Sequence, residues 1–258
     1  MEGEELLIEQ KDKIAFLYIN RPEKFNALNI SLLNKINITL RAISKNDKIR
    51  VIILTGIGEK AFAAGADILE FSEFKSKEAM ELSKNGKEKV FDFIEDFSKP
   101  VIAAINGYAL GGGLELALSC DIRIASDNAL MGFPETSLGT IPGYGGTYRL
   151  AEIVGKGIAK EMILTCRKIS AKEALEIGLI SYLTKKNELL DKATEVANQI
   201  MANSPNATSS AIKVINYSGR ENKKNLSEIE SKYFSKCFDH PDFKKGVSAF
   251  LNKQKPGF

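Results

Sequence analysis

Tryptophan is missing from the 258-residue sequence, histidine occurs once, and cysteine occurs three times. Three cysteines, Cys120, Cys166 and Cys237, are an odd number at irregular spacing, which offers neither a disulfide framework nor a thiolate zinc site. His240 sits in a polar His-Pro-Asp turn and is the only candidate for a histidine triad or metal ligand, so histidine-dependent chemistry is not expected. Net charge is also scarce: 36 basic and 33 acidic side chains leave +3, too little to argue for a polyanion partner. No apolar run approaches the ~20 residues of a bilayer span. The first five residues are acidic where a secretory signal is basic, so a cytoplasmic protein without a membrane partner is expected.

What is present is enough for a core. Hydrophobic residues make up 44% of the chain, and a chain of this size can bury roughly 73% of its unfolded surface. The charge is uneven, since from Lys213 onward ten basic residues face five acidic ones. Such a segment is either a solvated basic face or an attractor for an anionic ligand.

Strand and helix signals alternate through the first two-thirds. Residues 13–20, 50–56, 101–105 and 120–126 read as buried strands, and residues 30–45 repeat apolar side chains at helical period, with Asn29 or Ser31 as cap. This alternation implies an α/β protein with a mainly parallel sheet. After about residue 150 strand signals fade into amphipathic helical stretches, with Ser170, Asn187 and Ser227 as candidate caps or first-turn residues.

Three small-residue segments follow strands. In AFAAGAD (61–67), Ala63 to Ala66 allow close approach to the main chain, and Asp67 is placed to begin a helix. In NGYALGGGLELALSCD (106–121), Gly111, Gly112 and Gly113 open an apolar helix whose free N–H groups can stabilise developing negative charge. The spacing is neither a dinucleotide fingerprint nor a phosphate-binding loop. Glu115 stands out there, because a carboxylate between Leu114 and Leu116 costs several kcal/mol to bury unless paired or protonated. It either faces solvent, caps its helix, or serves chemistry. In GFPETSLGTIPGYGGTYRL (132–150), Glu135 is a second carboxylate in an apolar loop, suited either to a helix N-terminus or to acid/base work near neutral pH.

These three segments, with INRPEKFNAL (19–28) and HPDFKKGVSAFLNKQ (240–254), resemble in order the signatures of the crotonase, or enoyl-CoA hydratase/isomerase, superfamily. The likeness covers nearly the whole chain and is closest to short-chain enoyl-CoA hydratases. It implies a ββα spiral core over 1–195 and a C-terminal helical oligomerisation segment over 196–258, assembled as a homotrimer or a hexamer built as a dimer of trimers. It also implies an oxyanion hole from the N–H groups of Ala66 and Gly112, and Glu115 and Glu135 as paired acid/base residues. Ala64, Asp67, Ile68 and Leu69 would line the CoA path, Gly143 would lie near the reacting water, and Phe250 and Lys253 would cover CoA. The substrate implied is an acyl-CoA thioester, with no cofactor beyond the CoA it carries.

The implied reaction is reversible addition of water to a trans-2-enoyl-CoA. Isomerases of the same family are the alternative, but many lack the first glutamate; other acyl-CoA lyases of the fold are more remote. A dehalogenase would need an aspartate nucleophile that Gly143-Tyr144-Gly145 does not supply. An RNA-binding role rests on the basic tail alone. Two departures from the hydratase pattern, Phe133 and Tyr148, bear on the acyl pocket and the rate.

Overall fold

A computed structural model of the chain describes residues 4–258. Of the acidic start, residues 1–3 therefore lie outside the described residues. The strands are β1 (Leu6–Lys11), β2 (Ile14–Ile19), β3 (Val51–Gly56), β4 (Ala61–Ala63), β5 (Val101–Ile105), β6 (Tyr108–Leu110), β7 (Ile122–Ser126), β8 (Leu130–Gly132), β9 (Lys168–Ser170) and β10 (Tyr182–Thr184). Between and after them run α1 (Ile30–Ser44), α2 (Ser76–Gly86), α3 (Asp92–Glu95), α4 (Gly112–Ser119), α5 (Gly146–Thr165), α6 (Ala171–Glu176) and α7 (Leu189–Met201). The chain ends in α8 (Pro205–Tyr217), α9 (Lys223–Asp239) and α10 (Pro241–Leu251).

A six-stranded sheet runs β1-β2-β3-β5-β7-β10, with β1 antiparallel to β2 and the remaining pairs parallel. A second sheet, β4-β6-β8-β9, stands beside it, with only β8 and β9 antiparallel. Three successive turns, β3-β4-α2, β5-β6-α4 and β7-β8-α5, each place a longer strand in the first sheet, a short one in the second, and then a helix, the repeat that the expected ββα spiral requires.

Continuous apolar strands are used on both faces. In β3, Ile52 and Leu54 join the main core, while Val51 and Ile53 point the other way, onto Leu189, Ala193, Val196 and Ala197 of α7. Burying each large aliphatic side chain contributes about 1.5–3 kcal/mol. Helix α1 follows its sequence signals: the Asn29 side chain accepts from Leu32 N at 2.7 Å, and Leu32, Leu33, Ile36, Leu40 and Ile43 are buried. Ser31 instead donates to Glu5.

Several sequence expectations need correction. The strands at 13–20, 50–56, 101–105 and 120–126 form within two residues of their expected bounds, but β1, exposed along most of its length, lacks a sustained apolar run, and the three-residue strands of the second sheet carry too short a pattern to show. Strands also continue past residue 150 as β9 and β10. Ser170 does cap α6, but Asn187 lies in a 3-10 turn before α7, and Ser227 lies inside α9, whose cap is Asn222. Asp67 opens only a 3-10 turn, Ile68–Glu70. The division at 195/196 falls inside α7, which packs on the sheet, so the helices that stand away from it begin at α8. His240 is a helix cap: its Nδ1 accepts from Asp242 N at the start of α10.

Candidate active site

Strand β6 ends against Gly111, and α4 starts at Gly112. Gly111 adopts φ 50° and ψ −126°, a region closed to residues with a side chain, and a Cβ there would collide with Glu135 Oε1. Gly113 lies so close to the main chain of Ala63 that no Cβ fits. Both glycines let the start of α4 approach β4 and the Glu135 loop.

The two expected oxyanion donors come together by backbone register. Residue 66 bridges Leu28 in parallel: Leu28 N donates to Gly65 O, and Asp67 N donates to Leu28 O, both at 2.8 Å. Ala66 N is thereby turned away from Leu28. Gly112, first residue of α4, has no intrahelical acceptor for its own N–H. A Cβ placed on Gly112 would lie 3.4 Å from Ala66 N, so the two residues are immediate neighbours. Arg21 braces this corner, with Nη2 donating to Asp67 Oδ2 at 2.8 Å and Nη1 to Ala27 O at 2.5 Å.

Glu115 is 1% exposed, which excludes the solvent-facing reading. Its Oε1 accepts from Tyr144 N and Gly146 N, each at 2.7 Å. Burial pushes its carboxyl up, and the amides of Gly146 and Tyr144 and the Arg149 charge oppose that rise. Glu135 begins a 3-10 turn, Glu135–Leu138, behind Pro134. Its Oε2 is buried and, among the described residues, has no hydrogen-bond partner. Burial, together with the nearby Glu115 charge, pushes Glu135 up to about 7. The arrangement thus offers two carboxyls of raised pKa and two free amides around one glycine turn, which suits proton transfer at a carbon next to a carbonyl.

The other residues expected at the site are placed as follows. Asp67 commits its carboxylate to Arg21 and Lys24, and these cations hold it below the usual carboxylate range; its N–H is spent on Leu28 O and its carbonyl on Glu70 N, so it shapes the CoA path and offers no free polar group to it. Ala64 N donates to Phe25 O, while Ile68 and Leu69 project their side chains outward. Gly143 O accepts from Ser83 of α2, tying that helix to the loop. Phe250, 83% exposed, and Lys253 stand at the far end of α10, whose main packing partner is α9. Phe133 is fully buried under Gly146, where a Cβ would meet both its ring and Glu115 Cγ.

A family model described as enoyl-CoA hydratase/isomerase matches residues 9–258. The chain belongs to the enoyl-CoA hydratase/isomerase family. Among relatives, it is 44% identical over 255 residues to a short-chain-enoyl-CoA hydratase of Clostridium acetobutylicum, covering 99% of this chain and 97% of that one. It is 42% identical to a crotonyl-CoA hydratase of Syntrophomonas wolfei, covering 100% and 99%. Among solved structures, an enoyl-CoA hydratase from Bacillus anthracis superposes with a TM-score of 0.92 at 36% identity, covering 99% and 100%. Pseudomonas aeruginosa DspI superposes at 0.95 with 34% identity, covering 100% and 98%.

For a member of this family, the residue that sequence reasoning missed is Arg149. It is 3% exposed and donates to Tyr144 O, Asp92 and Glu95. A cation in the first turn of α5 carries no sequence signal, because its carboxylate partners lie 54 and 57 positions away.

Proposed function

We propose that this chain is an enoyl-CoA hydratase that adds water to short trans-2-enoyl-CoA thioesters, using Glu115 and Glu135 as acid/base residues and the Ala66 and Gly112 amides as an oxyanion hole. The observation that carries the reading is Glu135 Oε2, buried and unpartnered beside Gly111, one residue from the Gly112 amide. Glu115, oriented by two amides, holds the water and takes its proton as the oxygen attacks C3. Negative charge then gathers on the thioester oxygen, where each N–H donor contributes about 10²–10³ in rate. Glu135, with a carboxyl near neutrality, delivers a proton to C2. The two carboxyls titrate as a pair, so the pH profile reports both.

Tyr144 supports a short acyl chain. Its ring stacks on Phe91 at 4.6 Å between centroids, abuts Gly86, and lies beside Gly112, filling the space next to the carbonyl position. The CoA moiety then runs past Ala64, Asp67, Ile68 and Leu69, with the basic tail drawn to its phosphates. No cofactor besides that CoA takes part. Phe250 and Lys253 reach it from a neighbouring subunit of a homotrimer or a dimer of trimers. Support for assembly comes from α8–α10, where Ile215, Phe234, Phe238, Val247, Phe250 and Leu251 are exposed. Among the described residues no helix is long and apolar enough to cross a membrane.

Loss of the conjugated enoyl-thioester absorbance of crotonyl-CoA tests the activity. Reaction only with a shifted unsaturated isomer would replace hydration by isomerisation. A rate with ten-carbon substrate equal to that with crotonyl-CoA would refute the role of Tyr144. Light scattering giving a concentration-independent monomer would remove the assembly.

A further inference from the structure

We propose that Arg149 is a positioning residue which, through Glu95, fastens the catalytic loop at 143–146 to Arg220 and so makes the placement of Glu115 depend on how the C-terminal helices are docked. The inference rests on the hydratase reading of Glu115. It adds a mechanical connection between that carboxylate and a part of the chain that does not touch it.

Each bond of the connection is in place. Glu115 Oε1 is held by Tyr144 N and Gly146 N. The carbonyl of Tyr144 accepts from Arg149 Nη1 at 2.8 Å, so the peptide between Tyr144 and Gly145, which lies between the two amides that hold Glu115, is fixed by a charged donor. Arg149 Nε and Nη2 donate to Glu95 Oε2 at 2.8 and 2.5 Å, and Nη2 also donates to Asp92 Oδ1 at 2.6 Å. Glu95 spends its other oxygen on Arg220, at 2.8 Å, while Arg220 Nη1 reaches Asp96 Oδ1 at 2.8 Å. Asn216 of α8 donates to the main-chain carbonyl of Glu95. A single carboxylate thus joins an arginine in the first turn of α5, bonded to the catalytic loop, to an arginine that follows α8.

The surroundings give this link leverage. The side chains of the network line a cavity of about 1110 Å³ between α8 and the start of β7, so little else packs the two parts together there. Glu95 ends α3, which enters through a π turn at Lys87–Phe91, an irregularity that functional sites often keep. The guanidinium of Arg149 is fully occupied and buried, and neither lysine nor glutamine can reproduce its three-way bonding.

Displacing the loop has a titration signature. Burial raises the Glu115 carboxyl, and the two loop amides oppose that rise. When they drift away, the carboxyl rises further, and the acid limb of kcat/KM moves to higher pH. The charged or titratable groups facing Glu115 are Arg149, Glu135 and Tyr144; those facing Glu95 are Arg149, Arg220, Asp121 and Tyr148.

The test measures crotonyl-CoA hydration over pH 5–9 in full-length wild type, Arg149→Lys, Arg220→Gln and Arg220→Lys. A misplacement of about 1 Å costs up to ~10² in rate. Arg149→Lys is expected to lower kcat by about 10²-fold, and Arg220→Gln by roughly 3- to 10-fold, at nearly constant KM. In both, the acid limb moves upward, and Arg220→Lys recovers part of the loss. A network that merely held the fold would reduce the active fraction and leave the limb in place. That outcome in protein with the wild-type circular dichroism spectrum overturns the proposal. Should Arg149→Lys fail to fold, Arg220→Gln decides, because Arg220 is half-exposed. Wild type inactive on every enoyl-CoA would overturn the hydratase reading and this inference together. An active wild type with unchanged variants overturns the inference alone.

Discussion

Glu135→Gln keeps the shape of a side chain and removes its ionisation, so it separates what the residue does for catalysis from what it does to stability. The Glu135 carboxyl is raised from its ordinary 4.5 to about 7, chiefly by burial. The folded protein therefore holds this proton more tightly than the unfolded chain does. Its contribution to stability is fully present below pH 4.5 and is lost as pH climbs through the window from 4.5 to 7. At pH 8 a shift of that size corresponds to ~3 kcal/mol before allowance for solvent. Glu135 is only partly enclosed, so screening reduces the expected destabilisation to about 1–2 kcal/mol. Glutamine carries no such burden. Urea unfolding at pH 5 and pH 8 is expected to show the variant gaining about 1–2 kcal/mol on the wild type between the two, while its hydratase kcat falls by about 10² or more. A stability gap that does not change with pH would refute the assignment of the raised carboxyl, and wild-type turnover would remove Glu135 from the chemistry.

Other perturbations read other parts of the structure. Glu115→Gln is expected to lower kcat by about 10² or more, checked by crotonyl-CoA turnover with folding verified by circular dichroism. Gly111→Ala forces a side chain into a glycine-only conformation and against Glu135; thermal unfolding should show a loss of about 1–3 kcal/mol with activity falling at least ~10-fold, and a silent variant would disprove the close approach. Glu5 is pushed up by burial but more strongly down by Lys35, Asn29 and Ser31, reaching about 2. Its depressed pKa gives stability that is present above 4.5 and lost as pH falls toward 2, so the melting temperatures of wild type and Glu5→Gln should converge on acidification; a constant difference would contradict the pairing.

The chemical residue types were legible in the sequence because each stood out against its neighbours. Glu115 interrupts an apolar helix start, Glu135 an apolar loop, and Gly111 to Gly113 leave a helix terminus uncovered. Strands β2, β3 and β5 were legible because a strand buried on both faces is a nearly unbroken apolar run, and β7 was legible from its β-branched Ile122 and Ile124 despite the intervening Arg123. The second sheet was not, since three-residue strands such as β4 and β6 are held by neighbours in space and carry no period of their own.

The sequence by itself determined which parts are local: apolar periodicity for α1, its Asn29 cap, and the glycines that main-chain approach demands. Which groups meet was decided only in three dimensions. The bridge from Leu28 to residue 66 brings an amide beside Gly112, the Gly143–Gly146 loop lays two more amides on Glu115, and Glu95 joins Arg149 to Arg220 across 54 and 125 positions of chain. Such pairings follow from how two sheets and the last helices pack, and the side chains themselves record no trace of their partners' positions.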